Sequence, residues 1–177
     1  MILGTHCAGV IGAIGDNKMG VVGIRKDPNL FQFHIGKGLS DKGAGGTSNI
    51  IKALASCYEM GAKVISMSLG GPVSSGIENT IYQFLYDEGF LVVAAAGNAG
   101  DSTYSYPASY PTVLSVAAVD SKEKWAEFSQ FNDQVELAAP GVNIKSTYIG
   151  NSYAKLSGSK YMHGPITVLL VLFLRSF

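Results

Sequence analysis

Val64-Ile65-Ser66-Met67-Ser68-Leu69-Gly70-Gly71-Pro72 is a short, mostly apolar run closed by two glycines and a proline. A run of this kind reads as a strand covered on both faces, as in a parallel sheet. Upstream, Ser48 is placed to cap a helix beginning near Asn49. Ile50, Leu54, Cys57 and Tyr58 recur there at helical spacing, and Gly61 is placed to end it. Downstream, the spacing predicts a second helix with Ile77, Ile81, Phe84 and Leu85 on one side and Gly89 after its end. Phe90–Ala96 and Val113–Val119 again read as buried strands. Strand, helix, strand at these intervals predicts an α/β domain, a parallel sheet with right-handed crossovers and helices on both faces. Ligands of such sheets bind beyond the carboxyl ends of the strands. The glycine-rich segments after Leu69 and Ala96 lie at such ends.

Composition narrows the classes. Of 177 residues, 47% are apolar and 15% charged, which is globular and not disordered. Lys plus Arg and Asp plus Glu balance at 13 each, giving no electrostatic reason for nucleic acid or an anionic membrane as partner. Two cysteines, Cys7 and Cys57, make no disulfide framework and are expected as buried thiols. No secretory signal is visible in the first ten residues, so the compartment is left open. The apolar run Ile166–Leu174 falls well short of the ~20 residues of a spanning helix and is expected as a core helix. No repeat or linker divides the chain, and a monomer of one domain is expected. Neither GxGxxG nor GxxxxGK[ST] occurs; Gly36-Lys37-Gly38 is only a faint echo of a nucleotide loop.

Four segments, in order, resemble the subtilisin-like serine proteases: Gly4-Thr5-His6-Cys7-Ala8-Gly9, Ser66-Met67-Ser68-Leu69-Gly70-Gly71, Ala94-Ala95-Ala96-Gly97-Asn98 and Glu136-Leu137-Ala138-Ala139-Pro140-Gly141-Val142. The resemblance runs from Leu3 to about Gly158. It implies a three-layer subtilisin-like fold with a mostly parallel central sheet, and an endopeptidase acting on an extended peptide or protein substrate through Ser, His and Asp. It further implies that Asn98 is the oxyanion-hole amide, although an asparagine between glycines also suits a plain left-handed turn. Ser68, Leu69 and Gly70 would hold the peptide as an added strand, with Gly43, Ala44 and Gly45 as the opposite rim. Ala95, Ala96 and Gly97 would wall the pocket for the residue before the scissile bond. Plain packing of a core strand and a flexible loop is the alternative for these segments. His6 matches the second, structural histidine of the motif; His34 and His163 match no catalytic position. Asp16 and Asn17 fall where many relatives hold calcium, though an ordinary Asp-Asn turn is the preferred reading. No other cofactor is implied.

The pattern fails where the triad should be. Leu3 stands at the catalytic histidine position. Lys160 stands at the nucleophile position by direct counting, and Ser159 with a slip of one residue. The family's aspartate precedes the histidine motif, with which this sequence begins. Residues 1–158 are therefore expected as a partial peptidase domain, truncated at both ends, and 159–177 as a divergent apolar segment of the same domain. An inactive endopeptidase fragment and a peptide-binding pseudoprotease both satisfy this reading. The resemblance also predicts a cis bond at Tyr106-Pro107.

Overall fold

A computed structural model describes residues 2–158 apart from 26, 28 and 30. Ser159, Lys160, His163 and the expected helix over 166–174 lie outside the described residues. Helix α1 spans Ile2–Gly12, α2 Thr47–Glu59 and α3 Gly76–Asp87. Strands β1 (Val64–Met67), β2 (Leu91–Ala95), β3 (Val113–Val119) and β4 (Val135–Pro140) form one sheet in the order β1-β2-β3-β4, every pair parallel. β5 (Ile144–Tyr148) and β6 (Ser152–Leu156) form a separate antiparallel hairpin. The predicted α/β architecture is thus observed. The Tyr106-Pro107 bond is cis.

Alternation along each strand splits the core in two. Ile65, Met67, Val92, Ala94 and Val113 face α2 and α3, meeting Leu54, Cys57, Tyr82 and Leu85. Each Val, Leu, Ile or Met among them, taken fully out of water, contributes roughly 1.5–3 kcal/mol. Val93, Val116, Ala118 and Ala139 face the other way, where Ala126 and Phe128 cover them.

Both helix expectations need adjusting. α2 starts two residues before Asn49, with Gly46 as an N-cap that has no side chain to bond the free N–H groups. In α3 the buried residues are Glu78, Tyr82 and Leu85, while Ile77 and Phe84 are exposed. The face is rotated because Tyr110 packs on Tyr82 and donates from its hydroxyl to Glu78 Oε2 at 3.2 Å. A buried, bonded glutamate therefore takes a place that apolarity alone would give to Ile77.

Helix α1 leans on the hairpin. His6 is fully buried, with Nε2 3.0 Å from the Ile144 carbonyl. Ser146 Oγ donates to His6 O, and Thr147 Oγ1 to Thr5 O, each at 2.8 Å. Gly9 permits the close approach, since a Cβ there would collide with Thr147 Oγ1.

Candidate active site

β1 and β2 are in register, Met67 opposite Ala94, so their chains leave the sheet side by side. The two exit segments wall a cleft of about 390 Å³: Leu69, Gly70, Gly71 and Pro72 on one side, Ala95, Gly97, Asn98 and Ala99 on the other. Thr103, Tyr104, Ser105 and Gln130 complete the lining, which contains no charged side chain. Asn98 is half-buried here, beside the strand-end glycines.

The turn at Gly97 is built around an absent side chain. Its φ is +121°, and a Cβ would overlap the Gln130 amide. Gln130 is buried; its backbone N–H donates to Gly97 O at 3.2 Å and its Nε2 donates to Thr103 O at 2.6 Å. Asn132 Nδ2 donates to the same Thr103 carbonyl at 2.9 Å. Asp101, accepting from the N–H and hydroxyl of Thr103, stays below the usual carboxylate range because of those bonds. A two-way backbone pair between Gly71 and Tyr106, at 2.9 and 2.8 Å, ties the floor to the end of β1. Ser105 Oγ then sits where a Gly70 side chain would go. Hydrogen bonds and close packing thus hold the walls of the cleft in place.

Sequence reasoning named Leu69, Gly70, Ala95, Gly97 and Asn98, and the structure gathers these in one cleft. Ser68 sits just outside it, its Oγ 3.3 Å from Cys7 Sγ. Ala96 is buried in the wall behind. Gly43, Ala44 and Gly45 form an exposed turn, closed by the Ser40 N–H donating to Ala44 O, and none of them lines this cleft. Gln130, Thr103, Tyr104 and Ser105 were missed. They come from loops with no regular period, and Gln130 reaches the cleft only through β3, which precedes it in the chain.

Helix α1 meets this region through Cys7. Burial pushes the Cys7 and Cys57 thiols up, so neither is a thiolate nucleophile. Leu3 lies one turn before Cys7 in α1. Near Asp16, Asn17 Oδ1 accepts the Met19 N–H in a local turn. Among the described residues no group of three or more His, Cys, Asp or Glu side chains gathers to hold a metal. Asp16 is the one carboxylate in residues 13–20.

The Subtilase family model matches residues 4–165, almost the whole chain. The chain belongs to the subtilase family. It is 38% identical over 157 residues to thermitase of Thermoactinomyces vulgaris, covering 88% of this chain and 55% of thermitase. It is 40% identical over 160 residues to subtilisin DY of Bacillus licheniformis, covering 88% of this chain and 57% of that one. Among solved structures, the psychrophilic subtilisin-like protease Apa1 from the Antarctic psychrotroph Pseudoalteromonas sp. AS-11 superposes with a TM-score of 0.78 at 45% identity, over 86% of this chain and 37% of Apa1. The prenylagaramide maturation protease PagA gives a TM-score of 0.70 at 26% identity, over 75% and 50% of the two chains. This subtilase chain spans about half the length of the curated relatives it matches.

Proposed function

We propose that this chain is the substrate-gripping part of a subtilisin-like serine endopeptidase domain, and that as written it binds extended peptide without hydrolysing it. The observation that carries the reading is the meeting of Asn98 with the Leu69–Gly71 strand end in one neutral cleft. In the family reaction a serine attacks the peptide carbonyl, a histidine takes its proton, and the acyl-enzyme passes to water. Asn98 supplies its amide to the developing oxyanion. Leu69 and Gly70 offer backbone groups to the peptide, and the neutral lining takes an uncharged side chain.

Two positions argue against turnover. Leu3 occupies the histidine position and has no proton to exchange. The nucleophile position holds Lys160, or Ser159 after a slip, and a serine without its base is a weak nucleophile. On the same residues, a non-catalytic peptide-binding pseudoprotease is the second reading, favoured by the intact supports around Asn98.

The test is binding of a blocked extended peptide, read by fluorescence anisotropy, with one position carrying Leu, Phe, Asp or Lys in turn. The neutral peptides should bind about tenfold or more tightly than the charged ones, because a charge left unpaired in the cleft loses its hydration. Equal binding of all four, or none, would sink the assignment. A serine-directed phosphonate checks the absence of turnover: peptide binding without labelling agrees with both readings, and a labelled serine contradicts both.

A further inference from the structure

Ser75-Gly76-Ile77-Glu78 opens α3 with the spacing of a capping box. In that arrangement the glutamate reaches back to the backbone N–H of the capping residue. Here the return leg is interrupted. Ser75 Oγ accepts the Glu78 N–H at 3.4 Å, but the Ser75 N–H donates to the Tyr110 hydroxyl at 2.7 Å. Tyr110 in turn donates to Glu78 Oε2 at 3.2 Å. A tyrosine hydroxyl from a distant segment is thus inserted into the cap. It has one hydrogen and two acceptors, since the Ser75 carbonyl lies at the same 3.2 Å. Bonds to a carboxylate are about twice as strong as bonds between neutral groups, so Glu78 draws the hydrogen and leaves a lone pair for the Ser75 N–H. Burial, and after it the Glu78 charge, push the hydroxyl above the ordinary tyrosine range, so it keeps the proton it donates.

Tyr110 also supports the cleft wall. Its ring lies 4.8 Å from that of Tyr106. The Tyr106 backbone makes the two-way pair with Gly71, and Gly71 and Pro72 line the cleft. Tyr110 therefore holds the segment 71–75 at both ends: at Ser75 through its hydroxyl, and at Gly71 through Tyr106. Tyr110 is 5% exposed and Glu78 8%. A carboxylate in a core is costly unless it is bonded. An apolar side chain would suit this burial better; what a glutamate adds is the contact with Tyr110.

We propose that Glu78 is a positioning residue for the peptide cleft: it aims the Tyr110 hydroxyl, and through Tyr110 it fixes the segment 71–75 and the wall that this segment gives to the cleft. Glu78 touches no peptide itself. The inference rests on the reading of the cleft as a peptide site.

The experiment uses the full chain and the blocked Leu peptide. It reads the dissociation constant by anisotropy and the exchange of the Gly71, Ser75 and Tyr106 amides by NMR. Glu78→Met should speed exchange at these amides about tenfold relative to the sheet strands, and weaken peptide binding about tenfold. Glu78→Gln, whose amide oxygen still accepts from Tyr110, should restore most of both. Tyr110→Phe should reproduce the effect of Glu78→Met, and adding Glu78→Met to it should move neither readout further. Tyr110→Phe with the Gln variant carries the test should Glu78→Met not fold. A role confined to capping α3 would lower the urea midpoint of the variants without moving either readout, and would overturn the proposal. Additive losses in the double variant, or no rescue by glutamine, would overturn it too. If the parent chain binds no peptide, the peptide-site reading fails by itself, and exchange at Gly71 still decides whether Glu78 positions the wall.

Discussion

His6 shows how burial sets the role of one residue. It is enclosed between α1 and β5, and burial holds its imidazole below the ordinary histidine range, against the opposing pull of its bonds to Ile144 and Ala154. The unfolded chain takes up that proton near pH 6.5. Between there and the lower folded value the unfolded state binds more protons, so stability is full above about pH 6.5 and falls as the pH drops through the window. Urea midpoints from pH 8 to 5 should show this loss, and His6→Gln, which retains a donor for the Ile144 carbonyl, should flatten it; identical pH slopes for both would show that His6 does not set the dependence. Gly97 is the complementary case. Its φ of +121° and the Gln130 amide leave no room for Cβ. Gly97→Ala should destabilise the chain by about 1–3 kcal/mol and weaken peptide binding in the cleft. Calorimetric unfolding alongside the anisotropy titration checks both; an unchanged chain would mean the turn relaxes freely. The motif around Asn98 made this turn legible in the sequence. Gln130 was not legible, because its role depends on a contact between segments far apart in the chain.

At the scale of elements, β3 and β4 carry an irregularity that no periodicity announces. Ser115 pairs with Val135 and Val116 with Leu137, so Glu136 is the extra residue. Its Oε2 accepts the Ser115 N–H at 2.6 Å, satisfying the donor that the bulge would leave stranded. Glu136→Ala should cost about 1–3 kcal/mol, since Ser115 is buried, while Glu136→Gln should keep most of that stability. Equal loss in both variants, measured by urea unfolding, would place the effect in packing instead. The three buried strands were readable because continuous apolar runs between glycines have few other interpretations. The start of α2 was not, because Gly46 carries no capping side chain and Ser48 drew the expectation inward. The β5–β6 hairpin was also unannounced. Its turn at Ile149-Gly150-Asn151 uses left-handed Gly150 and Asn151, and its strands present mixed polar and apolar residues instead of a clean alternation.

Across the whole molecule, the parallel sheet places two exit segments side by side and so makes the cleft, and among the described residues the same sheet ends at β1. The architecture was legible from the strand and helix spacing; the cleft's location followed from the carboxyl-end rule, and its chemistry only from the resemblance. What spacing could not reveal was that the turn 43–45 does not line this cleft, because loop placement is set by what packs beneath it. The central proposal is that the chain grips an extended peptide but, with Leu3 at the histidine position, does not hydrolyse it. In subtilisin, a member of this family, losing the nucleophile or the base alone costs about 2 × 10⁶ in turnover, and removing the whole triad costs little more. The decisive measurement is turnover of a chromogenic peptide by the purified chain, with and without a serine-directed inhibitor. Peptide binding with no inhibitor-sensitive hydrolysis is the predicted result; inhibitor-sensitive turnover near one per second, within the ordinary range of enzymes, would contradict it.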